Sequence, residues 1–159
     1  MKIGIIVAMD KEFVQLKALL ENATMEQHHK KDFAVGNIGD KDIVIQKCGI
    51  GKVNSAIGAV EMINNYAPDL VISTGVAGGA DVEMNVTDVI VGTSYCYHDA
   101  YCGSECSFGQ IIGMPPTFTA PKDLVEKPVS LSGSVSFTSS TGMSRRDFKV
   151  SSCSSRQII

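Results

Sequence analysis

Two acids, Asp10 and Glu12, follow a short apolar run near the start of this 159-residue chain. The run Lys2–Ala8 (KIGIIVA) is rich in β-branched residues and reads as a buried strand. From Asp10 to about Ala23, Phe13, Leu16, Leu19 and Leu20 recur at helical spacing. A carboxylate between a strand's carboxyl end and a helix is placed to take a proton from water. The same place favours an acid by charge–dipole attraction alone, by ~0.3–1 kcal/mol.

A second candidate is the glycine loop Gly75-Val76-Ala77-Gly78-Gly79. Glycines there serve either a tight turn or a polar ligand, such as a sugar, approaching bare N–H groups. The loop is no GxGxxG fingerprint, and no Gly-Lys-Ser/Thr follows it, so dinucleotide binding and a phosphate loop are both disfavoured. Cys96, His98, Cys102 and Cys106 are metal-ligating types, but they are irregularly spaced and lack CxxC. Reduced thiols fit better than a zinc site, and no metal or cofactor is expected. His98-Asp99 is a potential base pair without a nucleophile in a recognisable context, so a structural hydrogen-bonding role for His98 is preferred.

The elements that must position these residues alternate in type. Phe33–Gly36 and Ile43–Lys47 read as strands around a turn at Gly39-Asp40. Gly49-Ile50-Gly51 is a turn. Val53, Ala56, Ile57, Val60 and Ile63 then form one apolar helical stripe ending near Tyr66, before Pro68. Asp69–Thr74 and Val86–Val91 read as strands, and Ala120–Lys127 starts another helix. This order predicts an α/β fold, a three-layer α/β/α arrangement with a mixed central sheet. Ligands in such sheets sit at the carboxyl ends of strands, where Ala8–Phe13 and Gly75–Gly79 both fall.

Composition divides the chain. Net charge is −3. Residues 1–127 hold 10 Lys, no Arg and 16 acids, a net −6. Residues 128–159 hold all three Arg, one Lys (Lys149), eleven of the sixteen Ser and one acid, Asp147, a net +3. An acidic body argues against nucleic-acid binding, which needs a basic face. No signal peptide and no bilayer-length apolar run is visible, and five Cys without dense spacing suit reduced thiols. A cytoplasmic protein without a membrane partner is expected.

Several motifs, in order, carry a resemblance: MKIGIIVAMDKE at 1–12, KCGIGKVNSA at 47–56, PDLVISTGVAGG at 68–79, and TDVIVG followed by YHDA at 97–100. Together they resemble the bacterial 5′-methylthioadenosine/S-adenosylhomocysteine nucleosidases of the nucleoside phosphorylase superfamily. The resemblance runs from Met1 to about Lys127. It implies a nucleoside phosphorylase-like fold, incomplete on its C-terminal side, and a hydrolase that cleaves thio-substituted adenosines into adenine and a thioribose. It further implies that Glu12 activates the water, and that Met9, Ile50, Val76, Ala77 and Gly78 line the pocket around ribose and base. Val76 stands where the family often carries Ser, so it brings no hydroxyl. The Tyr101–Met114 region resembles the segment that closes a partner subunit's alkylthio pocket, which implies a homodimer.

The family also needs a ribose-binding carboxylate in a Met-Glu motif and a later aspartate acting as acid on adenine. No Met-Glu follows residue 127, and Asp147 sits in RRDFK. The expectation is therefore residues 1–127 as the N-terminal part of the domain, 128–159 as atypical sequence such as a frame shift yields, and an isolated form that is inactive. The alternatives are a purine nucleoside phosphorylase, a futalosine-type nucleosidase, and a nonenzymatic nucleoside-binding module. A phosphorylase normally needs an Arg clamp on its phosphate, which residues 1–127 lack.

Overall fold

Lys2–Val7 forms β1, and strands on both sides of it complete a five-stranded sheet. The computed structural model describes residues 1–77, 89–122, 124, 125, 135 and 136. These fall into two units, one of Met1–Val76 and one beginning at Ala77.

In the first unit β1 is followed by α1 (Asp10–Lys17), β2 (Glu21–His28), β3 (Lys31–Ile38), β4 (Lys41–Lys47), α2 (Lys52–Tyr66) and β5 (Leu70–Ser73). The sheet order is β2-β3-β4-β1-β5. β1 runs parallel to β4 and β5, whereas β2, β3 and β4 pair antiparallel in succession. The sheet is mixed, as the sequence predicts, and the β3–β4 turn falls at Gly39-Asp40.

Alternating side chains feed two cores. Ile6, Phe33, Val44 and Cys48 pack with Met62 of α2 on one face. Val7, Ala34, Ile43 and Ile45 pack with Phe13 of α1 on the other. One helix on each face of the sheet gives the three-layer arrangement. Each large side chain so buried contributes ~1.5–3 kcal/mol.

One expectation is corrected. The first helix does not continue to Ala23: it ends at Lys17, and residues 21–28 form β2. Leu16 and Leu20 still pack against the core under α1, Leu20 from beyond the helix. The chain must then cross β3 closely. A Cβ on Gly36 would lie 2.6 Å from the Glu21 carbonyl oxygen and 3.1 Å from Leu20 Cβ, so the crossing needs glycine.

The apolar stripe of α2 does not face the sheet. Val53, Ile57, Val60 and Ile63, the apolar stripe of the sequence, are 47–73% exposed. The face turned to the sheet is Ser55, Gly58, Ala59, Met62 and Tyr66. Small residues there let the helix lie close against Gln46 and Cys48.

The second unit contains β6 (Val89–Ile90) parallel to β9 (Val135–Ser136), and β7 (Ser94–Tyr95) antiparallel to β8 (Phe118–Thr119). Tyr95 Oη donates to the Gly92 carbonyl at 2.8 Å, and burial pushes its phenol up. Leu124 and Val125 are helical, within the helix expected from Ala120. Residues 86–88 of the expected Val86–Val91 strand lie outside the described residues, as does the 127/128 boundary.

Candidate functional site

Because β1, β4 and β5 are parallel, their carboxyl ends gather three turns at one edge of the sheet. Two backbone bonds extend the pairing there: Cys48 N–H donates to Val7 O at 2.9 Å, and Thr74 N–H to Ile6 O at 3.1 Å.

Glu12 lies in the middle of this edge, partly buried in the first turn of α1. Its Oε2 accepts from the Ala8 N–H at 3.1 Å and from the Met9 N–H at 3.0 Å. Its Oε1 accepts from the Val76 N–H at 3.2 Å, just beyond β5. Met9 is the N-cap of α1, with extended backbone, and Glu12 is the third helical residue. This is the reach-back half of a capping box. The carboxylate is thus fixed by donors from two turns, in a partly exposed place where it can still accept a proton.

Asp10 has a different role. It is exposed, and its Oδ1 takes the Lys47 Nζ at 2.6 Å. The hydrogen bond to Asp10 raises the Lys47 ammonium above its ordinary range, opposed by desolvation and aided by the charges of Asp10 and Asp32. It ties the β1–α1 turn to the end of β4. As an exposed pair it contributes at most ~1 kcal/mol.

The β4–α2 turn carries Ile50, which is 73% exposed. Gly49 (φ 96°) and Gly51 (φ 101°) flank it in the left-handed region that side chains disfavour. Gly51 is the N-cap of α2, and Asn54 Nδ2 donates to the Ile50 carbonyl at 2.9 Å. Before the turn, the buried Cys48 thiol donates to Gly49 O at 3.1 Å, and Lys31 Nζ donates to Cys48 O at 2.7 Å. Burial pushes the Cys48 thiol up, with Glu12 adding to the rise and Lys31 opposing it.

Of the residues singled out in the sequence, Met9, Glu12, Ile50 and Val76 stand together at this edge. Ala77 is exposed in the second unit, and Gly78 lies outside the described residues. Sequence reasoning missed the backbone amides of Ala8, Met9 and Val76, and the anchors Lys31 and Lys47. The Met9–Glu12 spacing was the available signal, concealed because Met replaces the usual Ser or Thr at the cap.

In the second unit His98 Nδ1 lies 3.8 Å from Asp99 Oδ1, beyond hydrogen-bonding distance, and is buried without a hydrogen-bond partner. The hydrogen-bonding role preferred for His98 is not made at this nitrogen. Cys48, Cys96, Cys102 and Cys106 are free thiols. Among the described residues no group of three or more His, Cys, Asp or Glu is arranged to hold a metal ion. Among them, too, no helix is long and apolar enough to cross a membrane.

A sequence profile of the phosphorylase superfamily matches residues 2–142. The chain belongs to the phosphorylase superfamily. Within the superfamily it is similar to the 5′-methylthioadenosine/S-adenosylhomocysteine nucleosidase of Bacillus pumilus, at 38% identity over 127 residues, 79% of this chain and 55% of that one. The solved Neisseria meningitidis nucleosidase, in complex with methylthio-immucillin-A, superposes with a TM-score of 0.80 at 30% identity, over 86% of this chain and 62% of that one. The Colwellia psychrerythraea nucleosidase, in complex with adenine, gives 0.79 at 33% identity, over 93% and 66%. This superfamily member therefore has the nucleoside phosphorylase-like fold, and it spans about 55% of the length of the curated relatives it matches.

Proposed function

We propose that residues 1–127 are the N-terminal, water-activating part of a nucleosidase acting on 5′-methylthioadenosine and S-adenosylhomocysteine. The observation that carries this is Glu12. It is a carboxylate at the carboxyl edge of parallel strands, held on both oxygens by backbone N–H groups, in a segment that matches named nucleosidases.

In this scheme Glu12 accepts a proton from a water whose oxygen bonds to C1′ of the ribose. The N9–C1′ bond breaks, its electron pair leaves with adenine, and adenine takes up a proton. The transition state carries positive charge on the ribose, which a fixed nearby carboxylate also stabilises. Met9, Ile50 and Val76 are the residues of this edge assigned to the surroundings of base and ribose. Water is preferred to phosphate as nucleophile because residues 1–127 supply no arginine to clamp an anion.

The two remaining groups, the ribose-binding carboxylate and the acid on adenine, are not supplied by residues 128–159. The isolated 159-residue chain accordingly releases no adenine from methylthioadenosine. The assembled enzyme is a cytoplasmic homodimer, a state supported by the exposed apolar stripe on α2. The test is adenine release from methylthioadenosine, with and without phosphate. Release by the isolated chain at the rate of a full-length relative overturns the division of labour, and dependence on phosphate overturns the hydrolase.

A further inference from the structure

The β3–β4 register ends at Phe33↔Gln46, and extending it sets Lys31 opposite Cys48. No backbone pair forms at that level. The part-buried Lys31 ammonium takes the Cys48 carbonyl instead, at 2.7 Å. Cys48 is thereby held at three atoms: its N–H by Val7, its thiol by Gly49 O, and its carbonyl by Lys31.

The next three residues form the glycine-flanked turn, whose Ile50 carbonyl accepts from Asn54 Nδ2. Gly49 and Gly51 both have positive φ, and the intervening Ile50 is largely exposed. Glycine peptides hold such a turn only if its ends are fixed. α2 fixes the far end, where Ser55 N–H donates to Gly51 O at 3.0 Å. Cys48 fixes the near end. Of its three bonds, the one to Lys31 is charge-assisted and reaches the carbonyl that orients the Gly49 peptide.

We propose that Lys31 is a positioning residue. Through the Cys48 carbonyl it sets the Gly49-Ile50-Gly51 turn, and so the place of Ile50 at the substrate edge. Its effect on ligand binding rests on the functional reading above; its effect on the turn does not.

The test uses the whole 159-residue chain, as wild type, Lys31→Met, Lys31→Arg and, as a control on the same hairpin, Lys30→Met. Amide hydrogen exchange is read on a peptide covering residues 47–55, and adenine binding by calorimetry. In Lys31→Met the peptide exchanges roughly three- to tenfold faster, the effect of an ordinary net hydrogen bond at a part-exposed place. Adenine binding weakens by a similar factor. Lys31→Arg restores most of both, and Lys30→Met changes neither. Uniformly faster exchange across β3 and β4 means a merely structural lysine, and unchanged exchange at 47–55 also overturns the proposal. If wild type does not bind adenine but the exchange pattern holds, the effect on ligand binding fails and the positioning of the turn stands.

Discussion

Glu12 is asked to position two turns and to take a proton, and Glu12→Gln alters both. The amide keeps the shape but offers an N–H₂ where a carboxylate oxygen met backbone donors. A loss of about 1–3 kcal/mol in stability is expected, read as a lowered midpoint in thermal or urea melting. Cys48 gives a second residue-scale prediction. It is buried, whereas Cys96, Cys102 and Cys106 are partly exposed. Alkylation of the native protein, followed by mass spectrometry, should label Cys48 at least roughly tenfold more slowly than the other three. Its raised pKa means the fold favours the neutral thiol. That contribution is complete below the ordinary 9.0 and is lost as pH rises through the higher folded value. Cys48→Ala should therefore flatten the alkaline limb of the melting profile.

At the scale of elements, Gly58 decides how closely α2 approaches the sheet. A Cβ there would lie 2.6 Å from Cys48 Cβ and 3.1 Å from Gln46 Oε1. Ala is favoured over Gly within a helix by up to ~1 kcal/mol. Overpacking opposes that gain, so Gly58→Ala should destabilise the protein by a net ~1–2 kcal/mol in urea melting. The same helix shows what could be read from sequence. Its limits were legible, from the Gly49-Ile50-Gly51 turn to Pro68, but its buried face was not. The apolar stripe marks a face that a helix wants covered; it does not say whether this chain's own sheet covers it. Here the sheet takes Ser55, Gly58 and Met62 instead. β1 and the β3–β4 hairpin were legible because β-branched runs flank a Gly-Asp turn. β2 (ENATMEQH) was not, because an exposed edge strand buries no apolar residue and so shows no period. Glu12 was legible as an acid after a strand; the backbone donors that fix it carry no side-chain signal.

At the scale of the molecule, the stripe of Val53, Ile57, Val60 and Ile63 is an apolar surface of the kind that marks an interface. The double variant Val60→Glu/Ile63→Glu should leave the circular dichroism spectrum unchanged. If the proposed homodimer forms through this face, the variant should also shift that dimer to monomer in light scattering. A dimer that survives both charges would place the interface elsewhere. The central claim, that this chain carries the water-activating half of a nucleosidase, is tested most directly by completing it. Residues 1–127 are joined to the C-terminal half of a curated relative, and adenine release from methylthioadenosine is measured for the native sequence and for Glu12→Gln. The account predicts phosphate-independent release by the first, and a rate lower by roughly 10²–10⁴ in the second, the range a general base supplies. A folded chimera that releases no adenine, or a Glu12→Gln chimera as fast as its parent, would contradict it.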